Sequence, residues 1–114
     1  MVKKISQFLF ERNDATFVRI RDMLREFLLP LGFAEEGPVP SGNIATFRRD
    51  RCFVELNCEF REQDFWVTAY SGLPGATQHL PQVWMNFYAY QYTPEKEGAI
   101  RAKLQQWLQT LDKQ

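Results

Sequence analysis

The chain has 114 residues, of which 45% are hydrophobic and 15% aromatic, and its fourteen basic side chains balance fourteen acidic ones. This length predicts a single domain over residues 1–114 with one hydrophobic core, and the apolar content excludes a disordered chain. The neutral charge, without a dense basic patch, argues against nucleic-acid binding, and no apolar run approaches the ~20 residues of a membrane span.

The N-terminal third is dominated by one helical pattern. Residues 2–11 form either a short amphipathic helix or an ordered arm, and Asn13-Asp14 then breaks the pattern and offers an N-cap. Beyond it, apolar residues recur at three- and four-residue spacing: Phe17, Ile20, Leu24, Phe27, Leu28 and Leu31. This stripe predicts an amphipathic helix over about 15–30, ended by Pro30 and Gly32.

Three strands follow the glycine- and proline-rich loop 37–42, at about 43–49, 51–60 and 65–71. The middle strand alternates strictly. One side carries Cys52, Val54, Leu56, Cys58 and Phe60, and the other carries Phe53, Glu55, Asn57 and Glu59. Alternation with a period of two predicts a sheet with one buried face and one face left over.

The hydrophobic pattern also suggests how the strands pair. A two-residue turn at Asp50-Arg51 pairs Phe47 with Val54, although a three-residue turn, which would shift the first strand, stays open. A four-residue turn over 61–64 gives the second register. On the core side it pairs Phe60 with Phe65, Cys58 with Val67 and Leu56 with Ala69. On the other side it pairs Glu59 with Trp66, Asn57 with Thr68 and Glu55 with Tyr70.

The C-terminal part contains a loop, an ambiguous segment and a helix. Residues 73–81 form the loop, and it contains the single histidine, His79. Residues 83–92 fit a strand or a helix, and their aromatic content favours a strand with Trp84, Tyr88, Tyr90 and Tyr92 on one face. Thr93-Pro94-Glu95 is typical of a helix start. The apolar stripe after it comprises Ile100, Leu104, Trp107, Leu108 and Leu111.

These elements predict an α+β fold. We expect a two-layer sandwich, in which an antiparallel meander of three to four strands has the N- and C-terminal amphipathic helices packed on one face.

The residues that carry most enzyme chemistry are scarce. Cys52 and Cys58 lie about 20 Å apart along one strand, too far for a disulfide or a shared metal ion. We therefore expect two free thiols, no metal, no cofactor and no catalytic residue. Glu55 and Glu59, ~13 Å apart along the backbone, are too widely spaced for a glycosidase pair. Free thiols and the lack of a signal-peptide pattern predict a cytoplasmic protein.

The face of the meander turned away from the helices is the candidate binding surface. Its predicted partner-binding residues are Phe53, Glu55, Glu59, Trp66 and Tyr70. Tyrosine and tryptophan are frequent in interfaces because they combine a large apolar area with a polar group. The alternative is that the N-terminal segment or residues 83–92 cover this face, so that Trp66 and Tyr70 belong to a second core layer.

The run from Leu24 to Phe33, which ends in Leu31-Gly32-Phe33, and the later Phe47-Arg48-Arg49 with its meander resemble small bacterial α+β families of uncharacterised or immunity-protein type. The resemblance covers about residues 20–70. It implies a cytosolic protein that binds and blocks a toxin domain and has no catalysis of its own. Immunity proteins to nucleases tend to be acidic, and the neutral total departs from this. Residues 34–70 nevertheless carry seven acidic and four basic side chains.

Three functional hypotheses follow. The first is a non-catalytic module that binds a protein partner, as an immunity or inhibitor protein would. The second is a small-molecule site or enzyme with a pocket near segment 73–92, lined by Trp84, Tyr88, Tyr90 and His79. The third is a homodimer made through the exposed sheet face.

Overall fold

The computed structural model describes residues 2–36, 43–72 and 82–112, with the backbone alone for 2–14 and 112. The predicted loops 37–42 and 73–81, including His79, lie outside the described residues. The elements in chain order are α1 (Val2–Leu28), β1 (Ala34–Glu35), β2 (Ile44–Arg49), β3 (Cys52–Glu59), β4 (Asp64–Ser71), β5 (Val83–Tyr88) and α2 (Pro94–Asp112).

The five strands form one antiparallel sheet in the order β1-β2-β3-β4-β5, with two helices against it. This confirms the α+β class with a helix at each end. The sheet has five strands rather than three to four because β1, only two residues long, pairs with β2. The Arg25 guanidinium supports β1 from α1 by donating to both carboxylate oxygens of Glu35, at 3.0 Å each.

Helix α1 is longer than the sequence predicts, because it runs unbroken through Asn13-Asp14. Asparagine and aspartate lower helix stability by less than about 1 kcal/mol each, and no proline or glycine interrupts the backbone there. The predicted end is confirmed. Leu29–Leu31 form one 3₁₀ turn, and Gly32 follows at φ +96°, where its N–H donates to the Leu29 carbonyl.

One face of the sheet packs against both helices to form the core. Alternate residues of β2, β3 and β4 are fully buried there, including Phe47, Leu56 and Phe65. Ile20 of α1 and Leu104 of α2 cover them and are also inaccessible to solvent. The period-two pattern of the strands and the helical stripes therefore meet in one apolar layer.

The first hairpin has the predicted register, with Phe47 opposite Val54 and Ala45 opposite Leu56. Its turn places Asp50 at φ +54°, a conformation that aspartate tolerates better than most residues.

The predicted second register is wrong by two residues. Cys58, not Phe60, lies opposite Phe65, and the turn occupies residues 60–63, with Gln63 at φ +54°. On the other face, Asn57 lies opposite Trp66, Glu55 opposite Thr68 and Phe53 opposite Tyr70. A shift of two residues keeps every side chain on its predicted face, so the hydrophobic pattern does not distinguish the two registers.

Segment 83–92 begins as a strand, as favoured, and ends in a 3₁₀ turn over Ala89–Gln91. That turn moves Tyr92 off the face predicted for it. Tyr92 is buried, stacks on Phe87 with ring centres 5.9 Å apart, and donates its hydroxyl hydrogen to Glu97 at 2.8 Å. Burial, with that hydrogen bond and the Glu97 charge, raises the pKa of Tyr92.

Helix α2 begins as predicted. The Thr93 hydroxyl accepts the Lys96 backbone N–H at 3.2 Å, and Pro94 is the first helical residue. Neither helix, over its described residues, is both long and apolar enough to cross a membrane.

Candidate functional site: the outer sheet face

We call the side of the sheet turned away from the helices the outer face. Its central positions are Phe53, Glu55, Asn57 and Glu59 of β3 and Trp66, Thr68 and Tyr70 of β4. All five predicted partner-binding residues therefore lie on this face. Glu59 is exposed, whereas Phe53, Glu55, Trp66 and Tyr70 are half-buried. Trp66 and Tyr70, the two aromatic residues of β4 on this face, are neither sealed in a core nor fully open.

A hydrogen-bonded group centred on Glu55 organises the middle of the face. The Tyr70 hydroxyl donates to one carboxylate oxygen of Glu55 at 2.5 Å, and the Thr46 hydroxyl lies 3.5 Å from the other. The Tyr70 ring stacks on Phe53, with centres 5.2 Å apart and planes 19° apart. Arg48 lies over the far side of Phe53, its guanidinium carbon 5.5 Å from the ring centre.

This environment changes the acidity of Tyr70. Partial burial raises its pKa, and the hydrogen bond to Glu55 and the charge of that carboxylate raise it further. The phenol therefore stays protonated and keeps donating to Glu55 throughout the physiological range. The result is a stacked aromatic pair next to a carboxylate that a hydrogen bond orients.

The face has an acidic excess. Glu55, Glu59 and Asp64 occupy its outward positions on β3 and β4, and Arg48 on β2 is the basic residue among them. Asn86 of β5 donates to the Asp64 carboxylate at 2.6 Å and to the Phe65 carbonyl at 2.9 Å. These positions therefore carry more negative than positive charge.

Strand β5 extends the face with aromatic residues that the sequence did not assign to it. Trp84 lies opposite Thr68 and Tyr88 opposite Asp64, and their exposed fractions are 68% and 44%. Tyr90 is 74% exposed and stacks on Tyr88, with the ring planes 5° apart. The alternating sequence pattern predicts that Trp84, Tyr88 and Tyr90 share one face of a strand. Only the pairing of β5 with β4 shows that Trp84 and Tyr88 belong to the outer face.

Of the residues predicted to line a pocket near segment 73–92, Trp84, Tyr88 and Tyr90 are exposed to solvent, and His79 lies outside the described residues. The described part of this segment begins at Gln82. A cleft of about 350 Å³ does lie beside the start of this segment, between β5 and α2. Its walls include Gln82, Val83, Lys103 and Trp107, and the Trp107 indole N–H donates to the Gln82 side-chain oxygen at 2.7 Å. Trp84, Tyr88 and Tyr90 are not among its lining residues.

Cys52 and Cys58 are not joined in a disulfide, as predicted, and Cys58 is buried while Cys52 is partly exposed. Burial raises the pKa of the Cys58 thiol to about 12, with smaller contributions from the Glu59 and Asp64 carboxylates. A thiol with this pKa carries almost no thiolate at neutral pH and is a poor nucleophile. Among the described residues, no group of three or more histidine, cysteine, aspartate or glutamate side chains is arranged to hold a metal ion.

Comparison of the chain with protein-family models, with curated proteins and with solved structures found no match.

Proposed function

We propose that the chain is a non-catalytic module that binds a basic protein surface through its outer face. The observation that carries this proposal is the preassembled group of Glu55, Tyr70 and Phe53, set in an acidic surface. Stacked aromatics lose little side-chain entropy on binding, and an oriented carboxylate suits arginine or lysine from a partner. The Tyr70 phenol is held protonated and the Glu55 carboxylate is engaged by it, so recognition fits this group better than proton transfer does.

The more specific form of the proposal is an immunity or inhibitor protein of the cytoplasm that neutralises a toxin domain. Such a protein needs a surface whose negative charge complements a basic active site, and the excess of carboxylates on the outer face supports this role. The likeness of residues 20–70 to immunity-type families points the same way. The expected partner is a basic protein domain bound with one-to-one stoichiometry.

The test starts with the product of the neighbouring gene, co-expressed with this chain and measured by calorimetry after purification. Two variants probe the outer face. Glu55→Gln removes one charge and keeps an oxygen for Tyr70, and Trp66→Ala removes an aromatic contact. The matched controls are Glu26→Gln, an exposed acid on α1, and Leu31→Ala, a 41% exposed apolar residue after α1. Circular dichroism confirms folding of each variant.

Binding should weaken about tenfold or more in Glu55→Gln and Trp66→Ala, and stay within twofold in the two controls. Affinity should also fall as salt is raised from 0.05 to ~0.5 M, and fall less steeply in Glu55→Gln, because salt screens the charge contribution. Equal losses of affinity in the outer-face variants and in the control variants would contradict the proposal.

A small-molecule site is the second candidate, and the cleft beside Gln82 and Trp107 is the observation that favours it. Its volume of about 350 Å³ lies within the usual range of ligand pockets, and one indole N–H and one amide give it polar groups. Trp107 fluorescence reports directly on this cleft. A metabolite that quenches tryptophan fluorescence saturably, and does so equally in wild type and in Trp66→Ala, would favour this candidate over the outer face.

A further inference from the structure

The two edges of the sheet differ in how they are protected. One edge is β1, which is only two residues long. The other is β5, six residues from Val83 to Tyr88 with no charged residue, no proline and no glycine. Natural proteins normally blunt an edge of this length with charge, proline or a bulge, because its unpaired backbone groups can pair with another strand. Strand β5 has none of these residue-type protections.

The alternation of backbone hydrogen bonds along β5 shows which of its N–H and carbonyl groups point away from β4. The Ala89 N–H donates to the Gln63 carbonyl at 2.8 Å, continuing the ladder between β5 and β4. In an antiparallel ladder the residues that bond to one neighbour alternate with those that face the other side. Trp84, Asn86 and Tyr88 therefore direct their N–H and carbonyl groups to the edge of the sheet at which no other strand of the described residues pairs with β5. In agreement, the Tyr88 N–H donates to the side chain of Gln91 rather than to β4.

We propose that two copies of this chain associate through β5, antiparallel about a two-fold axis at Asn86, to form one continuous ten-stranded sheet. In this register Asn86 pairs with the same residue of the second copy, and Trp84 pairs with the second copy's Tyr88. The Asn86 pair is of the hydrogen-bonded type that the outward backbone groups require. In the two outer pairs, the Tyr88 N–H exchanges the Gln91 side chain for the Trp84 carbonyl of the second copy. On the outer face, each Trp84 lies against a Tyr88 ring, a favourable cross-strand combination.

A second copy is the occupant that the chemistry favours. Pairing a strand with itself normally brings like charges together, but β5 has none, and the whole chain is neutral. The strand is also complementary to itself, because its two exposed aromatics sit symmetrically on either side of Asn86. A two-fold axis is the commonest symmetry of homo-oligomers and uses the same surface on both copies. This inference does not depend on the proposed function.

The interface is small. A whole aromatic side chain has about 150–250 Å² of surface, so the exposed parts of Trp84 and Tyr88 together amount to roughly 200–250 Å². This area is well under the ~800 Å² that each partner buries in a stable complex. Dimerisation is therefore expected to be reversible, with the mass moving from the 13.5 kDa of one chain toward twice that value as concentration rises. Sedimentation velocity and equilibrium over about 10–500 µM cover the micromolar range expected of so small an interface.

The decisive variants are Asn86→Lys and Asn86→Glu. Each alone places like charges opposite each other at the axis and should leave a monomer across the concentration range. Mixed in equal amounts, they should form the heterodimer, because Lys and Glu then face each other. Asn86→Ser loses the same side-chain hydrogen bonds without adding charge and should still dimerise. Asn57→Lys lies on the outer face away from the edge and should also dimerise.

A second pair of variants, at Trp84 and Tyr88, keeps the test valid if an Asn86 variant fails to fold. Trp84→Lys and Tyr88→Glu should each weaken dimerisation at least tenfold, and the double variant should recover it, because the two new charges lie opposite each other between copies.

A monomeric wild type at 500 µM overturns the inference, and so does a dimer that Asn86→Lys leaves intact. A dimer broken by Asn57→Lys but not by Asn86→Lys would assign self-association to the outer face instead, which also overturns it.

Discussion

Replacing Tyr70 by phenylalanine removes one hydroxyl from the centre of the outer face and leaves the ring in place. The stack on Phe53 is kept, so the lost interaction is the 2.5 Å hydrogen bond to the Glu55 carboxylate. Hydrogen bonds to charged groups contribute about 1.5–3 kcal/mol when they are buried. Both side chains here are half-buried, so water replaces part of the loss, and we expect a cost of about 1 kcal/mol.

A double-mutant cycle isolates this contribution. Tyr70→Phe, Glu55→Gln and the double variant are compared with wild type by urea unfolding at pH 8, where the Tyr70 phenol is neutral. Glutamine keeps an oxygen for the Tyr70 hydroxyl, so the expected coupling is only the charge-dependent part of the bond, about 0.5 kcal/mol. Tyr70→Phe alone should lower Tm by about 4 °C in a domain of this size. If Tyr70→Phe costs as much in the Glu55→Gln background as in wild type, the two side chains do not act as a pair.

The difference in stability between wild type and Tyr70→Phe is predicted to depend on pH. The pKa of Tyr70 is raised in the folded state, whereas in the unfolded chain it lies near ~10. The stabilisation is therefore complete below pH ~10 and is lost as the pH rises above it, because the unfolded phenol then releases its proton more readily. Wild type should lose stability between pH ~9.5 and ~11 more steeply than Tyr70→Phe. Parallel pH curves for the two proteins would contradict this reasoning.

Three further predictions concern the core, the helix cap and the thiols. Phe65→Ala deletes a fully buried ring that stacks on Phe87, 6.1 Å between centres, and should cost about 3–5 kcal/mol in urea unfolding; a cost below 1 kcal/mol would contradict its place in the core. Thr93→Ala removes the cap on the Lys96 N–H and should cost about 1 kcal/mol in the same assay, whereas no change would mean that the cap is not formed in solution. In native protein at pH 8, a thiol reagent should modify Cys52 well before Cys58, because burial suppresses the Cys58 thiolate. Mass spectrometry measures the two modification rates, and equal rates would show that β3 is not packed as described.

The faces of the strands were predictable because alternation depends only on residue type. The core-side positions predicted at the centre of β3 and β4 are buried, and Cys52 and Phe60, the latter in the turn after β3, are partly buried against the same core. The alternate positions lie on the outer face, as predicted. The register of the second hairpin was not predictable in this way. It depends on a turn that holds Gln63 at positive φ, and glutamine gives no sequence signal for that conformation.

Two other features depend on tertiary contacts that the local sequence does not report. Ala34–Glu35 is too short to show a strand pattern, and it forms because β2 offers an edge and Arg25 binds Glu35. The outer-face role of Trp84 required the neighbour of β5 to be known. The five predicted partner-binding residues were brought together because they share two adjacent strands, and the aromatic extension was missed because it lies on a third.

The three tryptophans allow the central claim, that the outer face is open while the opposite face holds the core, to be measured without any partner. In a ¹⁵N NMR spectrum, each indole N–H gives one signal, and a soluble gadolinium chelate broadens the signals of exposed groups. The account predicts strong broadening for Trp84, intermediate broadening for Trp66 and little for Trp107, whose indole N–H is bound to Gln82. A Trp66 signal as protected as that of Trp107 would contradict the account, because other parts of the chain would then cover the face.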